Sequence, residues 1–326
     1  MKYIHCHISS QSTEIEMQKK SYTLVMMILC VLFWGSVFPV AKLLLVNMSG
    51  LSLAVCRFII AVFCLGLYMK LRHITLPSLK LWQWSIIIAT GAIGIGAFNY
   101  IFFSGLLHTS STNAALIMAL SPIMTALLYS LVTRSYLAKK QIVSLIIALS
   151  GVTLVLTKGN MAHLVEFHFN QGDLLMICAM IIWSSYTLCS QKLSNWLPAV
   201  AYTQVSMASG GLSLLIFSLM QANQHTWQEV QTLPPTALMG VLYIGVFSTV
   251  LAYLFWIKGV AELGSTKASP FFNLVPVFAA LISLLFGQTV TQVQFLGMLV
   301  VLIGLSLPIW SSLFNKSALI NLKIAK

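Results

Sequence analysis

The sequence predicts an all-α integral membrane protein with ten transmembrane helices, and three observations support this fold class. Of its 326 residues, 59% are hydrophobic and only 7% are charged, with a mean hydropathy of +0.92, whereas soluble domains carry about 25% charged residues. Apolar runs of about 20 residues, the length that a helix needs to cross a hydrocarbon core, recur along the whole chain. The gaps between them reach only about 15 residues, whereas a folded soluble domain needs at least about 50. Any function is therefore expected inside the membrane bundle.

The chain contains ten such runs, with boundaries defined to within a few residues. The predicted spans are 22–46, 51–69, 84–103, 111–132, 141–157, 173–189, 200–220, 236–257, 265–286 and 295–313. The first twenty-one residues include the polar stretch "STEIEMQKK" and lack the apolar core of a signal peptide, so 1–21 is expected to be a cytoplasmic tail that stays in the mature protein. A second cytoplasmic tail is expected at 313–326.

Basic residues are distributed unevenly between the two sides of the predicted bundle. With the amino terminus inside, only Lys42 and Lys158 fall on the outer side. Fourteen others fall on the inner side: Lys2, Lys19, Lys20, Lys70, Arg72, Lys80, Arg134, Lys139, Lys140, Lys192, Lys258, Lys316, Lys323 and Lys326. Because cytoplasmic loops of membrane proteins carry the excess of Lys and Arg, this bias predicts both termini in the cytoplasm and an inner or plasma membrane location. The net charge of +12 is thus interpreted as a topology signal, with no nucleic acid as partner.

The two halves of the chain resemble each other. The stretch "SGLLHTSSTNAALIMALSPIMTALL" from Ser104 aligns with "KGVAELGSTKASPFFNLVPVFAALI" from Lys258 at an offset of 154, and "WGSVFPVAK" at Trp34 aligns with "WSSYTLCSQK" at Trp183 at an offset of 149. This predicts two repeats of five spans, 22–157 and 173–312. Because five is odd, the second repeat must enter the membrane from the opposite side, an arrangement typical of transporters.

Several motifs occur in a fixed order along the chain. They are "WGS" in the first span, "LAVCRF" in the second, "GLLHTSSTNAALIMALSP" leading into the fourth, "GDLL" opening the sixth and "SPFFNLVPVFAAL" in the ninth. Together they resemble the EamA-type permeases of the drug/metabolite transporter superfamily, over nearly the whole of 22–313. The resemblance implies two inverted five-helix EamA repeats and transport of small molecules, often export of metabolites or amino acids. Family members often carry a Glu shortly after the fourth and ninth spans, where this chain has Arg134 and Gln288.

Two cations lie within predicted spans, Arg57 in the second and Lys267 in the ninth. A charge at bilayer depth costs a few kcal/mol, so both are expected to face protein or a wet cavity. Either can contact substrate, but Arg57 can instead bond carbonyls or a helix end, and Lys267 can snorkel to the cytoplasmic surface. Asn113, which aligns with Lys267, and Asn273 are the polar candidates that accompany them.

Prolines and aromatic residues complete the candidate site. Pro122 and Pro276 align between the repeats, and Pro270 precedes the second of them. Interrupted helices at corresponding positions of inverted repeats indicate a binding site, although a simple packing kink is the alternative for any one proline. Aromatic residues are expected to wall the cavity, unless they fill the bundle core or an interfacial belt; the candidates are Trp34, Trp183 and Tyr186, with Tyr100, Tyr253 and Trp256 beside them.

Acidic residues are scarce. Asp173 is the only Asp, and the five Glu residues are assigned to tails and loops, so proton coupling through an intramembrane carboxylate is not expected. An enzyme would need catalytic acids or metal ligands that the sequence hardly offers, and no cofactor or metal is expected. The run "GAIGIGAFN" at Gly91 is interpreted as close helix packing.

The sequence therefore predicts a permease that moves a small organic metabolite by alternating access between the two repeats. The solute is expected to be an amino acid or a related compound with a carboxylate or phosphate, and the transport to be export or exchange. A passive channel or pore is the alternative. The expected partners of the protein are the solute and the lipid bilayer. A homodimer is possible from the sequence, as is a monomer.

Overall fold

The computed structural model describes residues 2–109, 111–160, 170–221, 226–287 and 289–307, with side chains from Ser21 onward except at 111–113. Within these residues nine helices are long and apolar enough to cross a membrane, and a shorter apolar helix follows them. The ten are α1 (Lys2–Leu44), α2 (Gly50–Leu71), α3 (Leu81–Leu106), α4 (segments Ser111–Ala119 and Ser121–Thr133), α5 (Lys139–Thr157), α6 (Gln171–Leu193), α7 (Ala199–Met220), α8 (Pro235–Leu263), α9 (Ser265–Leu285) and α10 (Gln292–Leu307). No strand occurs in the described part, so the predicted all-α membrane fold is confirmed.

Two boundaries differ from the sequence prediction by more than a few residues. α1 begins at Lys2, so residues expected as a separate tail continue the first helix, although its apolar window starts only at Ser21. α8 continues to Leu263 and ends at Gly264, whose φ of +84° is incompatible with a further helical turn. Glu262, expected in a loop, therefore lies in the last turn of α8. The predicted tenth span extends to 313, beyond the described residues.

The helices pack with the symmetry of two repeats. The contact of α1 with α9 recurs as that of α6 with α4, the contact of α1 with α8 as that of α6 with α3, and the contact of α2 with α8 as that of α7 with α3. Single residues obey the same rule. A Cβ at Gly35 of α1 would lie 2.9 Å from the carbonyl oxygen of Val275, and its equivalent Ser184 of α6 donates a hydrogen bond of 3.1 Å to the carbonyl of Ser121, the equivalent of Val275.

α3 and α8 each contain a π-helical segment, at Ala92–Ala97 and Ile244–Leu251, in matching parts of the two repeats. The wider π turn leaves carbonyls for side chains: Thr249 Oγ1 donates to Ile244 O at 2.9 Å, and Asn99 Nδ2 donates to Ile95 O at 2.8 Å. π segments inside α-helices are frequent at functional sites. The sequence analysis did not predict these π turns.

The small residues of α3 allow it to approach α7 closely, as we expected for "GAIGIGAFN". A Cβ at Gly91 would lie 2.6 Å from Ser206 Cα, and one at Gly96 would lie 2.9 Å from the carbonyl oxygen of Gly210. Both neighbours are backbone atoms, so no side chain fits there.

α4 and α9 are both interrupted near their middle. In α4 the first segment ends at Ala119, and the second begins at Ser121 with Pro122 in its first turn. In α9 an α-helical turn, Ser265–Ala268, passes into a 3₁₀ segment, Ser269–Leu274, that has Pro270 in its first turn. The α-helix then resumes over Val275–Leu285, with Pro276 in its first turn. The aligned residues Leu120 (φ −77°, ψ −9°) and Leu274 (φ −80°, ψ −15°) precede the resumed helices with nearly the same backbone angles, so the two interruptions are equivalent. A proline lacks the N–H that would continue the preceding turn, which is a physical reason for each break.

Candidate functional site

Five aromatic side chains from α1, α6, α8 and α9 meet where the two repeats join; we call them the aromatic centre. They are Trp34, Trp183, Tyr253, Trp256 and Phe272. The Trp34 ring lies 5.4 Å from the Trp183 ring, 5.6 Å from Tyr253, 5.2 Å from Trp256 and 5.9 Å from Phe272, centroid to centroid. Trp183 and Trp256 are 3% and 0% exposed. Trp34 and Trp183 are equivalent residues of the two repeats, and equivalent residues in contact must lie at the symmetry axis.

Hydrogen bonds to a π segment hold one side of the aromatic centre. Trp34 Nε1 donates to the carbonyl of Ser248 at 3.1 Å, and Ser248 Oγ donates to the carbonyl of Phe33 at 2.9 Å. The indole Nε1 of Trp256 is buried and has no partner in the described residues. The ring of Tyr186 lies 5.8 Å from that of Trp183, so it adjoins the aromatic centre from α6.

Arg57 of α2 lies next to the aromatic centre. Its Nη2 donates to Asn99 Oδ1 at 2.5 Å, and its Cζ is 4.9 Å from the centroid of the Phe58 ring. The Phe58 ring lies 6.0 Å from the Tyr253 ring of the aromatic centre, centroid to centroid. The Nε atom of Arg57 is buried without a partner. No carboxylate in the described residues forms an ion pair with Arg57.

The described carboxylates serve structural contacts at helix ends and loops. Asp173, buried in the first turn of α6, accepts hydrogen bonds from Thr109 Oγ1 at 2.5 Å and from the backbone N–H of Asn170 at 3.0 Å. Glu229 accepts from the backbone N–H of Ser49 at 3.0 Å. Glu262 accepts from the hydroxyl of Thr23. The charge of Arg57 is thus not balanced by a protein carboxylate in this part of the chain.

The other sequence candidates occupy different environments. Lys267 is exposed in the first turn of α9, and its ammonium has no partner among the described residues. Asn273 is 1% exposed, with an Oδ1 that has no partner. The side chain of Asn113 lies outside the described residues. Tyr100 contacts Phe217 instead of the aromatic centre, with ring centroids 4.9 Å apart.

Sequence reasoning missed Asn99 and Phe272. Asn99 ends the small-residue run of α3 and is 2% exposed, so a lone polar residue in an apolar span was the available signal. Phe272 had no such signal, because aromatic residues are common throughout the spans.

The chain is similar to known proteins over most of its length. The EamA-like transporter family matches residues 21–157 and 170–310. "Uncharacterized transporter YyaM" of Bacillus subtilis (strain 168) is 32% identical over 84% of this chain and 88% of its own length. A "Probable amino-acid metabolite efflux pump" of Salmonella typhimurium is 24% identical over 90% of this chain and 97% of its own length, and an Escherichia coli (strain K12) protein with the same name is 23% identical over 90% and 96%. A crystal structure superposes with a TM-score of 0.70 at 17% identity, covering 88% of this chain and 96% of that chain, which shows a shared fold alone.

Proposed function

The chain belongs to the EamA-like transporter family, and from this premise we propose that it carries a small organic anion across the membrane by alternating access. The family match and the names of the relatives confirm a multi-pass membrane transporter of small molecules, and not an enzyme. The proposed solute is an amino acid or a related metabolite with a carboxylate or phosphate. The proposed direction is export or exchange through an inner membrane, with both termini in the cytoplasm.

The observation that carries this proposal is the unbalanced charge of Arg57. A cation inside a membrane bundle is costly, and it is usually paired or faces a polar cavity. Here one guanidinium nitrogen binds a neutral amide, Asn99 Oδ1, and the buried Nε has no partner. A planar guanidinium matches carboxylate and phosphate groups bidentately. An anionic solute would supply the charge that the protein lacks.

The aromatic centre supports a carrier over the alternative of a passive pore. A pore needs a continuous polar lining, whereas the rings of Trp34, Trp183 and Trp256 are packed within 5.7 Å of one another, centroid to centroid. Since these rings lie on the repeat axis, rocking of one repeat against the other would open them to one side at a time. α4 and α9 with their matched breaks, together with α1 and α6, are the proposed walls of the path.

The relatives named as amino-acid metabolite efflux pumps support an amino acid or a related compound as the solute and export as the direction. In this chain the guanidinium of Arg57 lies beside an aromatic surface. Such a site fits a carboxylate that carries an apolar or aromatic group.

The experiment is solute efflux from proteoliposomes with the variants Asn99→Asp, Arg57→Gln and Lys158→Gln. Asn99→Asp places a carboxylate where Asn99 Oδ1 lies, 2.5 Å from Arg57 Nη2, so the bond to Arg57 is kept and the cation is neutralised, while the bond from Nδ2 to the Ile95 carbonyl is lost. Losing a charged hydrogen bond costs about 1.5–3 kcal/mol, which corresponds to about 10- to 150-fold weaker apparent affinity for anionic solutes. Arg57→Gln should show the same loss.

Lys158→Gln is the matched control, because it removes an exposed cation on the outer side and should leave affinity unchanged. Candidate solutes are first found by comparing secreted metabolites of cells with and without the protein. If Asn99→Asp binds and moves the anionic solute as the wild type does, Arg57 does not contact the anion and the proposal fails.

A further inference from the structure

The cytoplasmic half of α9 carries side-chain oxygens that are buried without a partner. They belong to Ser265 (0% exposed), Ser269 (3%) and Asn273 (1%). The Oγ atoms of the two serines and the Oδ1 atom of Asn273 have no hydrogen-bond partner in the described residues. Ser269 lies about one turn after Ser265, and Asn273 lies about one and a third turns further along the 3₁₀ segment. On α6, whose Gln191 accepts a hydrogen bond from the first residue of α9, Thr187 is fully buried with an Oγ1 that has no partner in the described residues. We call these four residues the polar seam.

Contacts at both ends fix how α6 and α9 face each other. At the cytoplasmic end the backbone N–H of Ser265 donates to Gln191 Oε1 at 2.9 Å. At the membrane centre the rings of Trp183 and Phe272 lie 5.9 Å apart. On α6, Thr187 lies one turn from both Trp183 and Gln191, and on α9, Ser269 lies about one turn from both Ser265 and Phe272. The two hydroxyls therefore lie at the same depth in the bundle. The polar seam therefore extends from the cytoplasmic end to the aromatic centre, where Trp256 Nε1 is also unpaired.

Three of the four equivalent positions in the other half are apolar; the exception is Ser111, which corresponds to Ser265 and whose side chain lies outside the described residues. The α4 residues that correspond to Ser269 and Asn273 are Ala115 and Ala119, and Phe38 of α1 corresponds to Thr187. Among the described side chains of α4, the buried hydroxyls are satisfied: Ser121 Oγ donates to the carbonyl of Met118 at 2.6 Å and Thr125 Oγ1 to that of Ser121 at 2.8 Å. Unpaired buried oxygens are costly, so the apolar residues at three of the four equivalent positions show that packing alone does not require oxygens here.

We propose that the polar seam is the cytoplasmic limb of the transport path and binds hydrogen-bond donor groups of the solute. This inference rests on the proposed function and on its orientation of the chain. When the bundle opens toward the cytoplasm, α6 separates from α9 and water reaches the four oxygens. An ammonium, hydroxyl or amide group of the solute then donates to them in turn as its anionic end approaches Arg57. In the closed arrangement the same oxygens lack these partners, so closing costs free energy that binding of the solute at the aromatic centre must offset.

The first experiment measures access to the polar seam and needs no solute. Ser269→Cys and Thr187→Cys are made in the full chain and treated with a membrane-impermeant methanethiosulfonate reagent, from the cytoplasmic side in inverted vesicles and from the outer side in right-side-out vesicles. The control is Ser144→Cys in α5, whose native hydroxyl is 1% exposed and donates to the carbonyl of Gly304 at 2.6 Å. The wild type, measured in parallel, gives the labelling of the native cysteines.

Both seam cysteines are expected to react from the cytoplasmic side about tenfold faster than Ser144→Cys, because a buried thiol reacts only through opening of the structure around it. Reaction at the rate of the control, or a faster reaction from the outer side, overturns the proposal.

The second experiment separates a transport role from a structural role. Ser269→Ala and Thr187→Val remove unpaired oxygens, so their melting temperatures should equal or exceed that of the wild type, while apparent solute affinity falls by about fivefold to tenfold for each lost hydrogen bond. Ser144→Ala removes a satisfied hydroxyl, so it should melt at a lower temperature and transport normally per folded molecule. Seam variants with wild-type affinity overturn the inference. If the wild type moves no tested solute, the proposed function fails, while the labelling experiment still decides whether the polar seam opens to the cytoplasm.

Discussion

Asn99 is the residue that makes the buried charge of Arg57 tolerable, and its replacement should cost more stability than the replacement of Arg57 itself. Asn99→Leu leaves the partly buried guanidinium without its bond to Oδ1, and losing a hydrogen bond to a charged group costs about 1.5–3 kcal/mol. The same variant loses the bond from Nδ2 to the carbonyl of Ile95, which adds about 0.5–1.5 kcal/mol.

Arg57→Met should be close to neutral in stability. It leaves Asn99 Oδ1 unpaired, at a cost of about 1–3 kcal/mol, but it also removes a charge whose insertion into the bilayer costs about 2.5–3.5 kcal/mol. The double variant Arg57→Met/Asn99→Leu removes both partners and should recover most of the stability lost in Asn99→Leu. The expected order of stability therefore places Asn99→Leu well below the other three proteins.

Equilibrium unfolding in mixed micelles, followed by tryptophan fluorescence, measures these differences. Equal destabilisation by Arg57→Met and Asn99→Leu would refute the reasoning, because it would mean that the guanidinium stabilises the fold through some group other than Asn99. Additive effects in the double variant would refute it as well, since residues that share one hydrogen bond must show a coupling energy.

Four further predictions follow from the same structure. Cysteines introduced in 70–80 and 134–140 should react with impermeant reagents only from the cytoplasmic side, and reaction from outside would contradict the two-repeat orientation. Lys267→Ala should weaken apparent affinity by no more than about fivefold, and less at high salt, because an exposed charge contributes about 0–1 kcal/mol; a loss of a hundredfold would mean that Lys267 enters the site. With the membrane potential clamped, an imposed proton gradient should change transport only modestly, and strong proton-driven accumulation would reveal a titrating group that we have not identified. Gly151→Ala places a Cβ 2.6 Å from a backbone nitrogen of α10 and should cost about 1–3 kcal/mol, whereas Gly66→Ala, which meets only the side-chain end of Gln204 at 3.3 Å, should unfold nearly as the wild type does.

Features that depend on solvation or on local backbone chemistry were accessible from the sequence. The spans follow from the apolar runs, because a helix in lipid must be apolar over the thickness of the hydrocarbon core. The duplication follows from aligned residues such as Pro122 and Pro276, and the helices are interrupted next to both of them because the missing N–H acts locally. The number of helices and the two-repeat architecture were therefore available before any coordinates.

The identity of the site depended on contacts between distant parts of the chain. Trp34 and Trp183 were visible as aligned residues, but only the folded bundle shows that they touch at the axis. Arg57 and Lys267 looked alike as intramembrane cations, yet Arg57 binds Asn99 beside the aromatic centre and Lys267 is exposed. The two residues differ because Arg57 lies on a helix face that packs against α3, whereas Lys267 lies on an exposed face of α9.

By itself, then, the sequence determined a ten-helix membrane protein built from two related halves, because hydrophobicity, charge bias and proline chemistry act on each segment independently of its partners. Only the tertiary structure shows that Asn99 partners Arg57, that α3 and α8 contain π turns, and that the hydroxyls of Thr187 and Ser269 are buried without a partner among the described residues. These features are properties of pairs of helices. No periodicity within one helix encodes them, because the hydrogen-bond partner of a buried group is set by packing between segments that are far apart in the chain.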